Sequence, residues 1–344
     1  MHISARLSTL LLVASAVASL GLGACSNNQN RCELSPEVAR VKAPVQFERL
    51  EGPFFKLKTP ADADQFLQTH KLFARQFLQS GQYPPGVLSA TLARLATNPG
   101  LQKLGVQADS TFRGPQLQQN LTRLFQHARY YYPGFRVPLV QTFVSGLSQD
   151  LFVSDSLIVI STDYFVGPTA AYRPNVPGYI QKRYTPAHLL PGLALAISTK
   201  YNQKPDAGQT MLGEMVHFGK ALYFAQQMLP CTPDSLIIGY TGPETAGVEF
   251  NEGKIWAHFV EKNLLYSTAP FVIQKYIGER PNIPEIDKTA PGRLGAWMGW
   301  QIVRKYMAEN PNVTLPQLMA DKDAQRILSQ SRYRPKANSG RVNS

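Results

Sequence analysis

His188 to Gly192 is the stretch of this 344-residue chain that comes closest to a catalytic motif. A zinc peptidase needs His-Glu-x-x-His on a helix, where two imidazoles one turn apart bind the ion and the glutamate activates its water. Here only the first histidine is present. Leu189 stands where the general base would be, and Gly192 stands where the second imidazole would be. Pro191 has no amide hydrogen, so it is expected in the first turn of a helix, which places His188 ahead of the regular helix and not on its face. A third ligand would come from an acid on a later helix, and the comparable position holds Phe218. His217 and Glu214, three residues apart, supply only a fragment of a site. One imidazole without partners binds zinc poorly, so the expectation is no catalytic residue, no metal, no cofactor and a capping or hydrogen-bonded His188.

Other chemistry is sparse. There is no Gly-x-Ser-x-Gly elbow, phosphate-binding loop or Gly-x-Gly-x-x-Gly fingerprint. The acids Glu249 and Glu252, and Asp321 and Asp323, read as exposed. The informative reactive group is near the start. Arg6 and the apolar run to Leu22 form a secretory leader, and Leu22-Gly23-Ala24-Cys25 looks like a bacterial lipobox whose cysteine thiol is acylated. Stable anchoring takes more than one acyl chain, each buried CH₂ contributing about 0.8 kcal/mol. The expected organisation is a leader over 1–24, lipidated Cys25 (palmitate) with a polar tether through residue 32, one domain over 33–334, and a disordered basic tail over 335–344. Three cysteines fit neither a zinc site nor a CxxC motif. With Cys25 lipidated, Cys32 and Cys231 are left where they could pair in an oxidising compartment.

The formal charge of +12 is spread along the chain, with one cluster at Arg332, Arg334, Lys336 and Arg341. No nucleic-acid motif accompanies it, so nucleic acid is not expected, nor is a small-molecule ligand. A bland reading of the basic tail and surface is contact with anionic headgroups or acidic envelope polymers. A hydrophobic fraction of 44% is enough to build a core. Beyond the leader, no stretch is long and apolar enough to cross a bilayer.

The elements that must hold these residues follow from periodicity. Within Val45 to Lys58, alternation at Val45, Phe47 and Arg49 suggests an early strand, with Gly52-Pro53 as a turn. Helices are expected from Thr59 to Ser80, with Thr59-Pro60 as cap and first residue, from Val87 to Ala96, and from Gln116 to Tyr132. Asn98 to Pro115 reads as irregular. Leu139 to Ser145 and Leu151 to Ser161 read as two strands joined in a hairpin-like way through Gly146 and Asp150. After a loop over Asp163 to Arg183, helices are expected from Ala187 or later to Tyr201, Asp206 to Leu229, Pro243 to Leu264, Ala269 to Ile277 and Arg293 to Asn310, with one or two short ones after Thr314. Thr289 to Met307 is the densest packing signal: Leu294, Trp297, Met298 and Ile302 share a helical face, Trp300 adds a second indole, and Gly295 and Gly299 line a side that would let another helix approach. Arg293 and Arg304 bracket it and could pair inside the fold or face a partner. The expected fold class is α+β: a mostly helical single domain with a small sheet in the first half, a degenerate zincin-like (metallopeptidase-like) fold being the form considered.

Several stretches, in order, resemble the gliding-motility lipoprotein GldB family: the lipobox, Phe47 to Leu50 with Phe54-Phe55, Tyr130 to Phe135, Thr142 to Leu147, Ile237 to Thr241, Trp256 with Phe259 and Leu265 to Thr268, and Ala290 to Arg304. The resemblance implies a cell-envelope lipoprotein required for gliding, without established catalytic activity. It implies partners among the gliding and secretion proteins of the envelope and a membrane contact through the lipid. The expected location faces the periplasm; Ser26, where some bacteria place an inner-membrane retention aspartate, favours the outer membrane. A residual hydrolase or ligand-binding envelope module is the alternative.

Overall fold

The computed structural model describes residues 34–204 and 210–335. The leader, Cys25, the tether with Cys32, residues 205–209 and the tail from Lys336 onward lie outside the described residues.

The chain opens with α1 (Pro36–Ala39), β1 (Phe47–Arg49), α2 (Glu51–Phe54), α3 (Pro60–Thr69), a π-helical turn over Phe73–Phe77, α4 (Val87–Ala96), α5 (Pro99–Phe112) and α6 (Gln116–Tyr131). The strands β2 (Leu139–Phe143), β3 (Leu151–Val153) and β4 (Leu157–Ser161) come next. The helical half holds α7 (Gly178–Gln181), α8 (Pro186–Ser198), α9 (Met211–Met228), α10 (Asp234–Ile238), α11 (Gly242–Phe250), α12 (Glu252–Glu261) and α13 (Pro270–Ile277). A small hairpin, β5 (Asn282–Ile283) and β6 (Asp287–Pro291), leads into α14 (Leu294–Glu309), α15 (Leu315–Ala320) and α16 (Ala324–Ser331).

The architecture is a single α+β domain, largely helical, on a small mixed sheet. The main sheet runs β1-β2-β4-β3, with β1, β2 and β4 parallel and β3 antiparallel at the edge. β4 is buried on both faces, as its unbroken apolar run requires. Alternation along it splits the interior in two. Leu157 and Val159 join Phe143, Phe54, Phe66 and Phe73 in a phenylalanine-rich layer under α3, α4 and α5. Ile158 and Ile160 join Val140, Leu121, Leu193 and the apolar faces of α9 and α14 in the larger layer.

Local signals explain several helix starts. Thr59 caps α3 with a reciprocal box to Asp62, and Pro60 occupies the first position, where its missing amide costs nothing. Thr241 with Glu244 does the same for α11, and Thr314 with Gln317 for α15.

Five expectations are corrected. Asn98 to Pro115 is not irregular: Asn98 accepts the Leu101 amide at 3.0 Å as an N-cap, and α5 buries Leu101, Leu104 and Ala108. Pro99 and Gly100 sit in the first turn, where they do not break a helix, and Gly105 lies mid-helix against the Phe55 ring. Leu151 to Ser161 is two strands, β3 and β4, folded on each other through Ser154, whose amide donates to the Leu157 carbonyl at 2.8 Å; β2 runs parallel to β4 instead of forming a hairpin with it. The early strand is found at Phe47–Arg49, but Gly52-Pro53 is not a turn: it lies inside α2. The helix from Pro243 breaks at Asn251 into α11 and α12. Finally, α8 starts at Pro186, after Thr185, so Pro191 is accommodated inside the helix at the cost of one i to i−4 bond. His188 is therefore in the first turn of α8, not ahead of it.

Candidate functional site

α14 is held to α9 by contact between glycines. A Cβ on Gly299 would overlap the Met215 carbonyl oxygen, and one on Gly219 would overlap the Gly299 carbonyl. The two backbones therefore touch, and only hydrogen side chains fit between them. Gly295 turns elsewhere, toward Ile277 and the Tyr276 carbonyl of α13. Trp297 and Trp300 are almost entirely buried, so this region is closed core and not a groove. The Trp300 indole N–H donates to Gln226 Oε1 at 3.2 Å, whereas the Trp297 N–H is buried without a partner among the described residues.

The two bracketing arginines differ. Arg304 makes a fork to Asp234, Nη1 to Oδ2 at 2.6 Å and Nη2 to Oδ1 at 2.7 Å. Its Nε donates to Gln226 at 2.9 Å and its guanidinium stacks 3.8 Å from the Trp300 ring centre. Arg293 starts α14 with a left-handed backbone, φ 63°. Its Nη1 donates to the Ile238 carbonyl at 2.7 Å, and its Nε lies 3.5 Å from Glu279 Oε1. Glu279 is already occupied by a fork from Arg183, with both bonds at 2.7 Å. Two guanidinium groups thus share one carboxylate.

This triad stands at one side of a cleft of about 280 Å³ between α8, the end of β3 and α10. His188 and Gly192 line it, with Asp150, Tyr184, Leu195 and Ile237. The broken motif at His188 and Gly192 therefore borders a real concavity. Gly239 makes the crowding possible: its φ is +79°, and any Cβ there would run into the Arg183 side chain. In the same lining the Tyr184 hydroxyl donates to Asp150 Oδ2 at 3.3 Å, and the Leu151 amide donates to Oδ1 at 2.8 Å.

The electrostatics follow from burial and these neighbours. Burial, and then Arg183 beside it, pull Arg293 below its ordinary value. Burial works to raise the Glu279 carboxyl, but the Arg183 fork and Arg293 outweigh it and hold the group low. Burial and the nearby Asp150 push the Tyr184 hydroxyl up to about 12. Burial, reinforced by Arg183 and Lys182, lowers His188, so its imidazole is neutral near pH 7. His188 Nδ1 lies 2.8 Å from Thr185 Oγ1, a local bond at the helix start.

The other motif positions lie apart from the cleft lining. Leu189 is buried in the core, and Phe218 packs partly buried against the same cluster. His217 sits half-buried on α9 with its Nδ1 unpartnered among the described residues. Burial, with Lys220 and Lys204, brings it down to about 4. Among the described residues no group of three or more histidine, cysteine or acidic side chains could hold a metal ion. A cationic site that the sequence did not single out is Lys220, almost wholly buried, whose ammonium donates to the carbonyls of Gln203, Met319 and Asp321 at 3.1, 3.2 and 2.6 Å. Asp321 is likewise not the exposed acid expected: its side chain is largely covered and pairs with Arg326 at 2.7 Å.

These features define an α+β domain in which a helix-lined cleft carries arginine, glutamate and a lone histidine in place of a metal-ligand set. The chain belongs to the gliding motility protein GldB family, whose model matches residues 31–335. No curated protein and no solved structure matches the chain. The family places the protein in gliding motility, as a lipoprotein of the cell envelope. Among the described residues no helix is long and apolar enough to cross a membrane.

Proposed function

We propose that the protein is a lipid-anchored component of the cell envelope that supports gliding motility as a non-enzymatic structural or assembly part of the motility and secretion apparatus. The family match across residues 31–335 carries this reading. The anchor is the acylated Cys25, followed by a short polar tether, and the domain faces the periplasm from the outer membrane. Three positions support a non-enzymatic role. Leu189, where a general base would act, is buried in the core; Gly192 offers no ligand; and Phe218 packs against the core in the place of an acid.

Deleting the gene from a gliding strain and measuring colony spreading tests the role. Loss of spreading, restored by the wild-type gene but not by one encoding Cys25→Ser, is expected, together with loss of labelled palmitate from the Cys25→Ser protein. A deletion strain that spreads normally contradicts the reading.

A further inference from the structure

We propose that the cleft between α8, β3 and α10 binds a ligand in which a carboxylate is flanked by an apolar group, the carboxylate being received by Arg183 and Arg293. This goes beyond the motility reading and departs from the sequence expectation that a small-molecule ligand plays no part.

Three observations on the lining carry it. First, the arginines outnumber their acid. Glu279 uses both oxygens on Arg183, and Arg293 reaches it only through Nε at 3.5 Å. The Arg183 Nε is covered where the side chain passes Gly239, so the donors open to a ligand are the Nη groups, above all the Arg293 Nη2, which has no partner among the described residues. A second carboxylate lying between the two side chains would satisfy the Nη hydrogens that Glu279 leaves over. Second, the wall beside the arginines is apolar: Leu151, Phe165, Leu195, Leu236 and Ile237. An inorganic anion would leave that wall in water, whereas an aliphatic side chain would cover it. Third, the lining also holds Asp150, whose oxygens accept from the Leu151 amide and the Tyr184 hydroxyl and keep further lone pairs. An N–H or ammonium beside the ligand carboxylate would face it. The Arg293 backbone, held at φ 63°, shows the fold carrying local strain at this point.

The same chemistry occurs in a free apolar amino acid and in the last residue of a polypeptide. The test is titration of the purified full-length protein in detergent with N-acetyl-leucine, followed by calorimetry or NMR, with N-acetyl-leucinamide as the neutral control. Saturable millimolar binding of the acid and none of the amide is expected. Arg183→Gln, checked for native near-UV dichroism, should weaken binding about tenfold or more. Glu279→Gln removes the internal competitor and should tighten binding several-fold, which a purely structural triad would not do. Comparing free leucine with N-acetyl-Ala-Ala-Leu then names the source: stronger binding of the peptide assigns the site to a chain end, and stronger binding of leucine assigns it to an amino acid whose ammonium faces Asp150. Absence of saturable binding overturns the proposal, as does equal binding of acid and amide, equal binding of inorganic phosphate, or weaker binding in Glu279→Gln.

Discussion

Arg304 and Arg293 stand near opposite ends of one helix and hold their charge in opposite ways. Arg304 has an acid of its own, a side-chain amide and an indole face. Arg293 has one carbonyl and a distant share of a carboxylate that Arg183 already holds, and it borders a cavity. The satisfied end tethers α14 to α9 and α10 and leaves nothing for a ligand. The unsatisfied end leaves donor capacity beside open space. A charged residue in a half-buried place is therefore better judged by whether its hydrogen bonds are filled than by its burial.

The comparison depends on α14 being a fixed rod, and breaking that rod should have the largest effect. Gly299→Leu forces a side chain into the Met215 carbonyl and must separate α14 from α9. A loss of about 3 kcal/mol or more is expected, read as a collapsed urea midpoint or as insoluble protein. Next come the two acids. Asp234→Asn leaves Arg304 without its fork and should cost about 2 kcal/mol. Glu279 is more exposed, 42% against 30%, so Glu279→Gln should cost less, about 1 kcal/mol. Matched urea titrations give the order; a larger loss in Glu279→Gln would reverse the assignment of the structural end.

Two further titratable groups, half-buried His217 and buried Lys220, extend the contrast to pH. His217 is held at about 4 in the fold against an ordinary 6.5. The unfolded chain therefore takes up a proton that the folded one refuses, so stability falls as pH drops from 6.5 toward 4. Allowing for the partial exposure of the ring, about 1 kcal/mol is at stake. Glu244 and Glu279, both held low, add a loss in the same direction below their ordinary 4.5. His217→Gln should flatten only the upper part of this limb. Lys220 is lowered to about 8 from 10.5, first by burial, so stability should rise with pH across that window, and Lys220→Met should remove the rise. The smallest expected effect is Arg183→Gln, about 0.5 kcal/mol, since the Arg183 side chain is 22% exposed and its acid 42% exposed.

Much of the fold was legible because its signals are local. Thr59-Pro60, the repeat across Gln116 to Tyr131 and the packed face of α14 are each contained within a few turns. Even so, α5 was missed, because Asn98, Pro99 and Gly100 resemble a loop until the Asn98 cap is seen. The pairing of β2 with β4 depends on tertiary register, which no local pattern encodes. The site was half legible. The broken metal motif pointed to His188 and Gly192, and both line the cleft. Arg293 was singled out without its role. Arg183 and Glu279 were missed because they are 96 residues apart and meet only through the fold. Gly239 was the nearest signal, a glycine ending a short helix, and its second reason, the passing Arg183, is invisible in sequence.

The most direct measurement is colony spreading of a deletion strain carrying Arg183→Gln or Asp234→Asn, with each protein quantified in the envelope. The account predicts that Arg183→Gln protein accumulates to the wild-type level yet fails to restore spreading, while Asp234→Asn lowers spreading only in proportion to lost protein. Full spreading with Arg183→Gln at the wild-type level would contradict it.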